Sequence, residues 1–224
     1  MFKAVLFDMD GVIVDTEPLH RKAYFQMFFD VNITVSEDLY ASFTGQSTFA
    51  ICEQLVSHFN LPISAHTLVD IKRDHFKYLF EHDKSLSLID GVLELIKDYH
   101  TNEMTLVLAS SASMDNINRI FKRFDLDQYF KAKISGADLE ASKPDPEIFI
   151  KAAELSEQKP NDCFVIEDST NGIIAAKAAK LFCIAFKSLH SKGQDYNKSD
   201  MIISNFNEIN YNKLKALSHP SINI

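Results

Sequence analysis

Two carboxylates, Asp8 and Asp10, stand directly after the apolar run AVLF in the N-terminal stretch VLFDMDGV. Like charges this close repel, so a positive group must offset them or one of them must hold a proton. Carboxylate oxygens without histidine or cysteine beside them are the donors that Mg²⁺ prefers. An aspartate near such a cation can stay ionised and attack phosphorus, which divides a difficult phosphoryl transfer into two steps. The pair therefore predicts Mg²⁺-dependent phosphoryl transfer.

Three later segments carry residues that suit the same chemistry. Ser110 and Ser111 follow the run TLVLA, Lys143 stands in the loop ASKPDP, and Glu167 and Asp168 end the stretch CFVIED. Taken singly, each is explained by a helix cap, a solvated turn or a surface lysine. Ligands of an open parallel sheet bind outside the carboxyl ends of its strands, so the shared position of these residues predicts one site. A lysine and hydroxyl groups there would stabilise the charge of a transferring phosphoryl group.

Short apolar runs, polar only at their ends, alternate with amphipathic stretches along most of the chain. The runs lie at 3–7, 105–109, 163–167, 182–186 and 201–204, and the amphipathic stretches at 91–99, 114–124, 146–157 and 171–180. Such runs are typical of strands that are buried on both faces. Strands that alternate with helices predict an α/β fold with a doubly wound parallel sheet.

Residues 16–84 interrupt this alternation. They show helical patterns at about 17–30, 47–59 and 66–82 and no convincing buried strand. A helical insert after the first strand is the simplest interpretation, with boundaries near Asp15 and in the stretch KSLSLIDG, where serine, aspartate and glycine punctuate the chain. We therefore expect a catalytic core made of residues 1–15 and 85–224, and a helical cap made of residues 16–84.

The bulk composition excludes several classes of protein. The chain has 224 residues, 46% of them hydrophobic and 24% charged, and a net charge of −8. Without a basic surplus it is not expected to bind nucleic acid or an anionic membrane. The three cysteines, Cys52, Cys163 and Cys183, form no CxxC pair, so a reducing, cytoplasmic location is expected rather than a disulfide framework. The N-terminus does not resemble a signal peptide, and no stretch approaches the ~18 apolar residues of a membrane span.

The four motifs DMDGV at 8–12, Ser110 after LVLA, Lys143 in SKPDP and EDS at 167–169 resemble those of the haloacid dehalogenase-like hydrolase superfamily. They occur in the same order, and the resemblance covers essentially the whole chain. It implies a Rossmann-like core with a helical cap inserted after the first motif. Dehalogenating members lack an acid at the position of Asp10, so the resemblance points to phosphate chemistry.

The resemblance also implies roles for individual residues. Asp8 would be the nucleophile, and Asp10 would act first as the general acid for the leaving group and then as the base for water. Mg²⁺ would be bound by Asp8, the Asp10 carbonyl and Asp168, with Glu167 beside it. The phosphate-binding residues would be Ser110, Ser111 and Lys143.

Within the superfamily, DGVIVDTEPLH resembles the subgroup of beta-phosphoglucomutases and small sugar-phosphate phosphatases. Thr16 and His20 match mutase residues near the hinge of the cap, and Lys72 is a candidate for the mutase's cap lysine. A single histidine on a helix is also explained by packing or solvation. Thr48 stands where the mutase carries an arginine that binds the second phosphate, and the segments around 108–126 and 167–180 resemble hexose-phosphate phosphatases more closely.

We therefore expect a Mg²⁺-dependent phosphohydrolase that acts on a small phosphorylated metabolite, such as a sugar phosphate. A phosphomutase that uses the same core is the nearest alternative. A catalytically inactive binding protein on the same fold is the second, and the presence of both Asp8 and Asp10 with Lys143 and Asp168 weighs against it. The sequence indicates no oligomeric state.

Overall fold

The fold is that of a computed structural model, which describes residues 1–43, 46–187 and 193–217. Across these residues, six parallel strands form one sheet in the order β3-β2-β1-β4-β5-β6. The expected α/β fold with a doubly wound parallel sheet is confirmed. The strands are β1 Ala4–Phe7, β2 Thr105–Ser110, β3 Ala132–Ser135, β4 Cys163–Glu167, β5 Phe182–Phe186 and β6 Met201–Ile203.

The first strand lies at the centre of the sheet. Ala4 pairs with Thr105 of β2 on one side and with Cys163 of β4 on the other. Val5 and Phe7 pack into the hydrophobic cluster on one face, whereas Ala4 and Leu6 pack into the cluster on the opposite face. Burial on both faces explains why the strand has no polar alternation.

Helices cover both faces of this sheet. They are α5 Val92–Thr101, α6 Met114–Arg123, α7 Glu147–Ser156, α8 Thr170–Ala178 and α9 Tyr211–Ala216. Short 3₁₀ turns lie at Gly136–Asp138, Pro160–Asp162 and Phe206–Ile209. Among the described residues, no helix combines the length and the apolar character needed to cross a bilayer.

Between β1 and β2 the chain forms four helices, α1 Glu17–Asp30, α2 Glu37–Ala41, α3 Thr48–Phe59 and α4 Ala65–His82. The last three begin after serines, and each serine hydroxyl accepts a hydrogen bond from the backbone N–H three residues on, which satisfies one of the unpaired donors of a helix start. Buried side chains between residues 24 and 69 form a hydrophobic cluster of their own.

At the base of this four-helix unit, some buried side chains belong to the hydrophobic core of the sheet and not to the unit's own cluster. Leu19, Ala23, Phe76 and Phe80, from α1 and α4, belong to the main hydrophobic cluster instead. The division into a cap of residues 16–84 and a core of 1–15 and 85–224 therefore stays a prediction. The predicted core also includes residues 188–192 and 218–224, which lie outside the described residues.

Three elements were missed in the sequence: β3, α2 and the six-residue helix α9. The edge strand β3 reads AKIS, and only its last two residues are buried, so it lacks the continuous apolar run that marks the other core strands. Helix α2 has five residues, which is too short for helical periodicity to show.

Candidate active site

Asp8 and Lys143 form the centre of the site at the carboxyl ends of three neighbouring strands. Asp8 follows β1, and its backbone N–H donates to the carbonyl of Ile166 in β4 at 3.0 Å. Lys143 Nζ donates to Asp8 Oδ1 at 2.6 Å, to Glu167 Oε1 at 2.8 Å and to the carbonyl of Ala109 in β2 at 3.2 Å. All three charged side chains are buried, so one lysine ties the ends of β1, β2 and β4 together.

One lysine does not balance the negative charge at this point. Burial, with smaller contributions from Glu167 and Asp10, raises the pKa of Asp8 to about 7 although Lys143 opposes the shift. Burial alone would lower the pKa of Lys143, but Asp8 and Glu167 hold it well above its usual range. The site therefore contains more carboxylate than cation, and a further positive charge would stabilise the ionised form of Asp8.

Asp10 is held by residues of α1 and of the turn before it. The Thr16 hydroxyl donates to Asp10 Oδ1, and His20 Nε2 lies 3.6 Å from the same oxygen. Burial alone would raise the pKa of Asp10, but His20, Thr16 and Lys72 hold it below its ordinary value. Asp10 is therefore ionised in this arrangement.

Lys72 of α4 completes this network from the other side. Its Nζ lies 2.8 Å from His20 Nδ1, and its side chain is 2% exposed, between the rings of Tyr24 and Phe76. Burial lowers the pKa of Lys72 to about 8. An ammonium can only donate, so Nδ1 of His20 accepts and the ring proton sits on Nε2, which faces Asp10. The sequence-predicted residues Thr16, His20 and Lys72 thus meet at Asp10.

Gly11 permits the close approach of Asp168 to the turn after β1. Gly11 has a φ of +86°, and a Cβ at this position would overlap the carboxylate of Asp168. Both the left-handed backbone and the lack of space therefore require glycine. Asp168 lies in the same cavity lining as Asp8 and Asp10.

Glu167, which was expected beside the bound Mg²⁺, is held by other residues, and metal binding by Asp8, the Asp10 carbonyl, Asp168 and Glu167 stays a prediction. Glu167 binds Lys143 through Oε1, and its Oε2 accepts from the N–H of Ser169 at 2.6 Å and from its hydroxyl at 3.0 Å. Within residues 1–43, 46–187 and 193–217, no group of three histidine, cysteine, aspartate or glutamate side chains is arranged to hold a metal ion. The ammonium of Lys143 lies between the carboxylates of Asp8 and Glu167.

A set of oxygen ligands without Glu167 could hold a hard cation such as Mg²⁺. It consists of the carboxylates of Asp8 and Asp168 and the backbone carbonyl of Asp10, next to the cavity. Burial, with smaller contributions from Glu167 and Asp10, raises the pKa of Asp8, so a bound cation would stabilise its ionised form. Oxygen donors of this kind, completed by water, suit Mg²⁺.

The two predicted serines occupy different environments. Ser110 ends β2 and is fully buried, and its hydroxyl accepts from the N–H of Ala112 at 3.1 Å. Of the two, only Ser111 lines the cavity, where Ser113 and Asn116 at the start of α6 lie beside it. Phosphate binding by Ser110 and Ser111 stays a prediction.

These residues surround a cavity of about 510 Å³. The core contributes the carboxylates, Lys143 and the loop 111–113, and the helical unit contributes residues from α1, α2, α3 and α4. Several of them were not predicted from the sequence: Glu17, Tyr24, Tyr40, Phe43, Gln46, Phe49, His66, Val69, Arg73, Asn116 and Glu140. Three of them could have been found from their spacing, because His66, Val69 and Arg73 fall on one face of a helix.

The side of the cavity that α1, α2, α3 and α4 line offers hydrogen-bonding groups. The Tyr40 hydroxyl donates to Glu17 Oε1 at 3.1 Å, and burial raises the pKa of Glu17. Thr48 begins α3 after the cap residue Ser47, lines the cavity and hydrogen-bonds with Tyr24. Thr48, which was predicted to lie where a mutase binds the second phosphate, thus lines the cavity.

Comparisons with known proteins agree with this geometry. A sequence profile described as haloacid dehalogenase-like hydrolase matches residues 5–186. The chain is 31% identical to a phosphorylated carbohydrates phosphatase of Thermotoga maritima, over 79% of this chain and 81% of that protein. It is 28% identical to a beta-phosphoglucomutase of Bacillus subtilis, over 90% of this chain and 88% of that one. The structure of CbbY from Rhodobacter sphaeroides in complex with phosphate superposes with a TM-score of 0.85 at 25% identity, covering 93% of this chain and 96% of CbbY.

Proposed function

The chain belongs to the haloacid dehalogenase-like hydrolase family and is an enzyme of its phosphatase and phosphomutase class, and we propose that it hydrolyses a small sugar phosphate through an aspartyl-phosphate on Asp8. The observation that carries this proposal is the position of Asp8 and Asp10 on one cavity wall, with Lys143 bound to Asp8 at 2.6 Å. A nucleophile, an acid–base group and a cation are the parts that such a transfer needs.

In the first step, an oxygen of Asp8 attacks phosphorus, the bond from phosphorus to the sugar oxygen breaks, and that oxygen takes a proton. Asp10 is placed to deliver this proton. Because its pKa is low in the free enzyme, Asp10 must first receive the proton. Neutral His20 can supply it only as a relay, in which Nδ1 takes a proton from the Lys72 ammonium at 2.8 Å while Nε2, 3.6 Å from Asp10, gives up its own. Lys143 stabilises the charge that builds up on the phosphoryl oxygens.

In the second step, water attacks the aspartyl-phosphate and releases inorganic phosphate. Asp10 is then the base that accepts a proton from the water. The low pKa that His20, Thr16 and Lys72 impose on Asp10 suits this role, because the carboxylate is ionised when the water must be activated.

We propose Asp8, the Asp10 carbonyl and Asp168 as the residues that hold Mg²⁺. The bound ion would supply positive charge to the transferring phosphoryl group. Glu167 is assigned instead to positioning Lys143, since its carboxylate is already satisfied by Lys143 and Ser169.

The cap side of the cavity supports a polyhydroxylated substrate. Glu17, Tyr40 and Thr48 can exchange hydrogen bonds with sugar hydroxyls, and the Thermotoga maritima relative is named for phosphorylated carbohydrates. Lys72 and Arg73 also line the cavity, which keeps a phosphomutase as the second candidate, because a mutase must hold a second phosphate. Thr48 favours hydrolysis, since threonine offers one neutral hydrogen bond where a mutase uses a charged, forked arginine.

The test is phosphate release from a panel of sugar monophosphates with Mg²⁺, by the wild type and by Asp8→Asn. The asparagine variant should keep its circular dichroism spectrum and lose turnover by many orders of magnitude, because the nucleophile is gone. Asp74→Asn, which changes an exposed aspartate of α4, is the matched control and should behave as the wild type. One tenth or more of the wild-type activity in Asp8→Asn would contradict the covalent mechanism.

A further inference from the structure

Helix α6 runs from the part of the cavity lined by Ser111, a predicted phosphate-binding residue, to the base of the helical unit. The loop 111–113 leads from β2 into α6, and Ser111, Ser113 and Asn116 line the cavity at that end. At the other end, Arg119 and Arg123 lie four residues apart and therefore on one face of the helix. Both arginines contact the end of α4 or the linker that follows it.

Arg123 binds three backbone carbonyls of that region. Its Nη1 donates to the carbonyl of Phe80 at 2.8 Å, and its Nη2 donates to those of Asp83 at 2.6 Å and Leu86 at 3.4 Å. The guanidinium carbon also lies 5.1 Å from the centre of the Phe80 ring. These bonds join the core to the last turn of α4 and to the linker after it.

The contact uses properties that only arginine has. Phe80 belongs to the last turn of α4, where carbonyls have no partner inside the helix and the helix end is negative. A planar guanidinium can donate to two or three such oxygens at once, whereas lysine would hold them only as a point charge. Arg119 makes a simpler contact, a 3.0 Å ion pair with Glu81 in which both side chains are partly exposed.

The two linkers of the helical unit are also tied to each other. Val14 and Leu88 form an isolated antiparallel bridge, and the N–H of Ile89 donates to the carbonyl of Ile13 at 3.0 Å. Arg123 holds the segment between this bridge and α4. Together with the packing of Phe76 and Phe80 in the main hydrophobic cluster, it therefore contributes to the direction in which α4 leaves the core.

That direction determines the position of Lys72. Lys72 precedes Phe80 by eight residues, or about 12 Å along the helix, so a tilt of about 10° at Phe80 would displace Lys72 by about 2 Å. The 2.8 Å contact between Lys72 and His20 would not survive such a displacement. A misplacement of this size can cost an enzyme about 100-fold in rate.

We propose that Arg123 is a positioning residue, which fixes the base of α4 so that Lys72 and His20 meet at Asp10. The inference rests on the proposed function insofar as Asp10 serves the reaction. It adds a role for a residue outside the cavity, on the helix that also carries Ser113 and Asn116.

The activity test compares Arg123→Gln with three other variants, all assayed well below their unfolding temperatures. Arg123→Gln should lower kcat about 10- to 100-fold while KM changes far less, and Arg123→Lys should recover part of the loss. Arg119→Gln tests the neighbouring arginine, and Tyr99→Phe removes a buried hydrogen bond to Ile209 far from the cap linkers. Both should keep the kcat of the wild type. Wild-type kcat in Arg123→Gln, or an equal loss in Tyr99→Phe, would overturn the proposal.

Amide hydrogen exchange provides a readout that needs no substrate. In Arg123→Gln, exchange should become at least about tenfold faster in residues 83–88 and in the Lys72 half of α4, because local opening becomes easier. Exchange in Arg119→Gln should match the wild type. If the wild type hydrolyses no phosphomonoester, the proposed function fails, and the exchange result alone still decides the position of α4. Unchanged exchange in Arg123→Gln would refute the positioning role.

Discussion

Lys72 should reduce the stability of the folded protein at neutral pH, because its ammonium is buried. Its pKa falls from 10.5 to about 8, so the unfolded chain binds more protons than the folded one between pH 8 and 10.5. Stability therefore rises with pH through this window. At 1.36 kcal/mol per pKa unit, the destabilisation is about 3 kcal/mol below pH 8, and about 2.5 kcal/mol of it should be relieved between pH 7 and 10.

Lys72→Met removes the charge and keeps a side chain of similar length. The free energy of unfolding of the variant should lack this rise, so the wild type should gain about 2.5 kcal/mol relative to Lys72→Met between pH 7 and 10. Asp10, whose pKa is lowered, does not titrate in that range. The pKa of Cys52 rises from 9.0 to about 12, so its thiol titrates there only in the unfolded chain, and this contribution cancels between the wild type and the variant. The variant should also lose activity, because His20 no longer has a donor at Nδ1.

The measurement is urea unfolding at several pH values, followed by circular dichroism because the chain has no tryptophan. Lys151→Met is the control. Lys151 is an exposed lysine whose pKa is raised by Glu147, and its contribution should be lost only above the ordinary lysine pKa. Parallel pH curves for the wild type and Lys72→Met, within about 0.5 kcal/mol, would refute the argument that burial of this ammonium opposes folding.

Two further predictions concern the metal and the products. Activity should disappear in EDTA and return on addition of Mg²⁺ but not of K⁺, since oxygen ligands and excess negative charge favour a divalent cation. Full activity after thorough chelation would exclude Asp8 and Asp168 as ligands of an essential metal ion. With beta-glucose 1-phosphate as substrate, inorganic phosphate should form faster than glucose 6-phosphate, with or without a bisphosphate primer, because Thr48 cannot replace a forked cation; faster formation of glucose 6-phosphate would establish the mutase instead. Thr48→Ser, which keeps the hydroxyl, should leave the product ratio unchanged.

Much of the fold followed from local sequence patterns. Buried strands of a parallel sheet are continuous apolar runs, and those at β1, β2, β4 and β5 were recognised almost to the residue. Strand β3 was missed because it is only half buried and its sequence AKIS contains no continuous apolar run. Residues at strand ends were candidates for the same reason, since a parallel sheet gathers its carboxyl ends at one edge.

The sequence by itself determined which chemical groups reach that edge: Asp8, Asp10, Glu167 and Asp168 end or follow a strand, and Lys143 stands in the loop before α7. Only the tertiary structure decided how they share their charges. Lys143 meets Asp8 across 135 residues and Glu167 across 24, and Lys72 meets His20 across 52 residues. Local periodicity reports the face of an element that is buried, whereas the partner of a buried charge depends on which distant elements pack against it. The contact of Arg123 with the linker after α4 could not be predicted from the sequence either, because its acceptors are backbone carbonyls, which every residue carries.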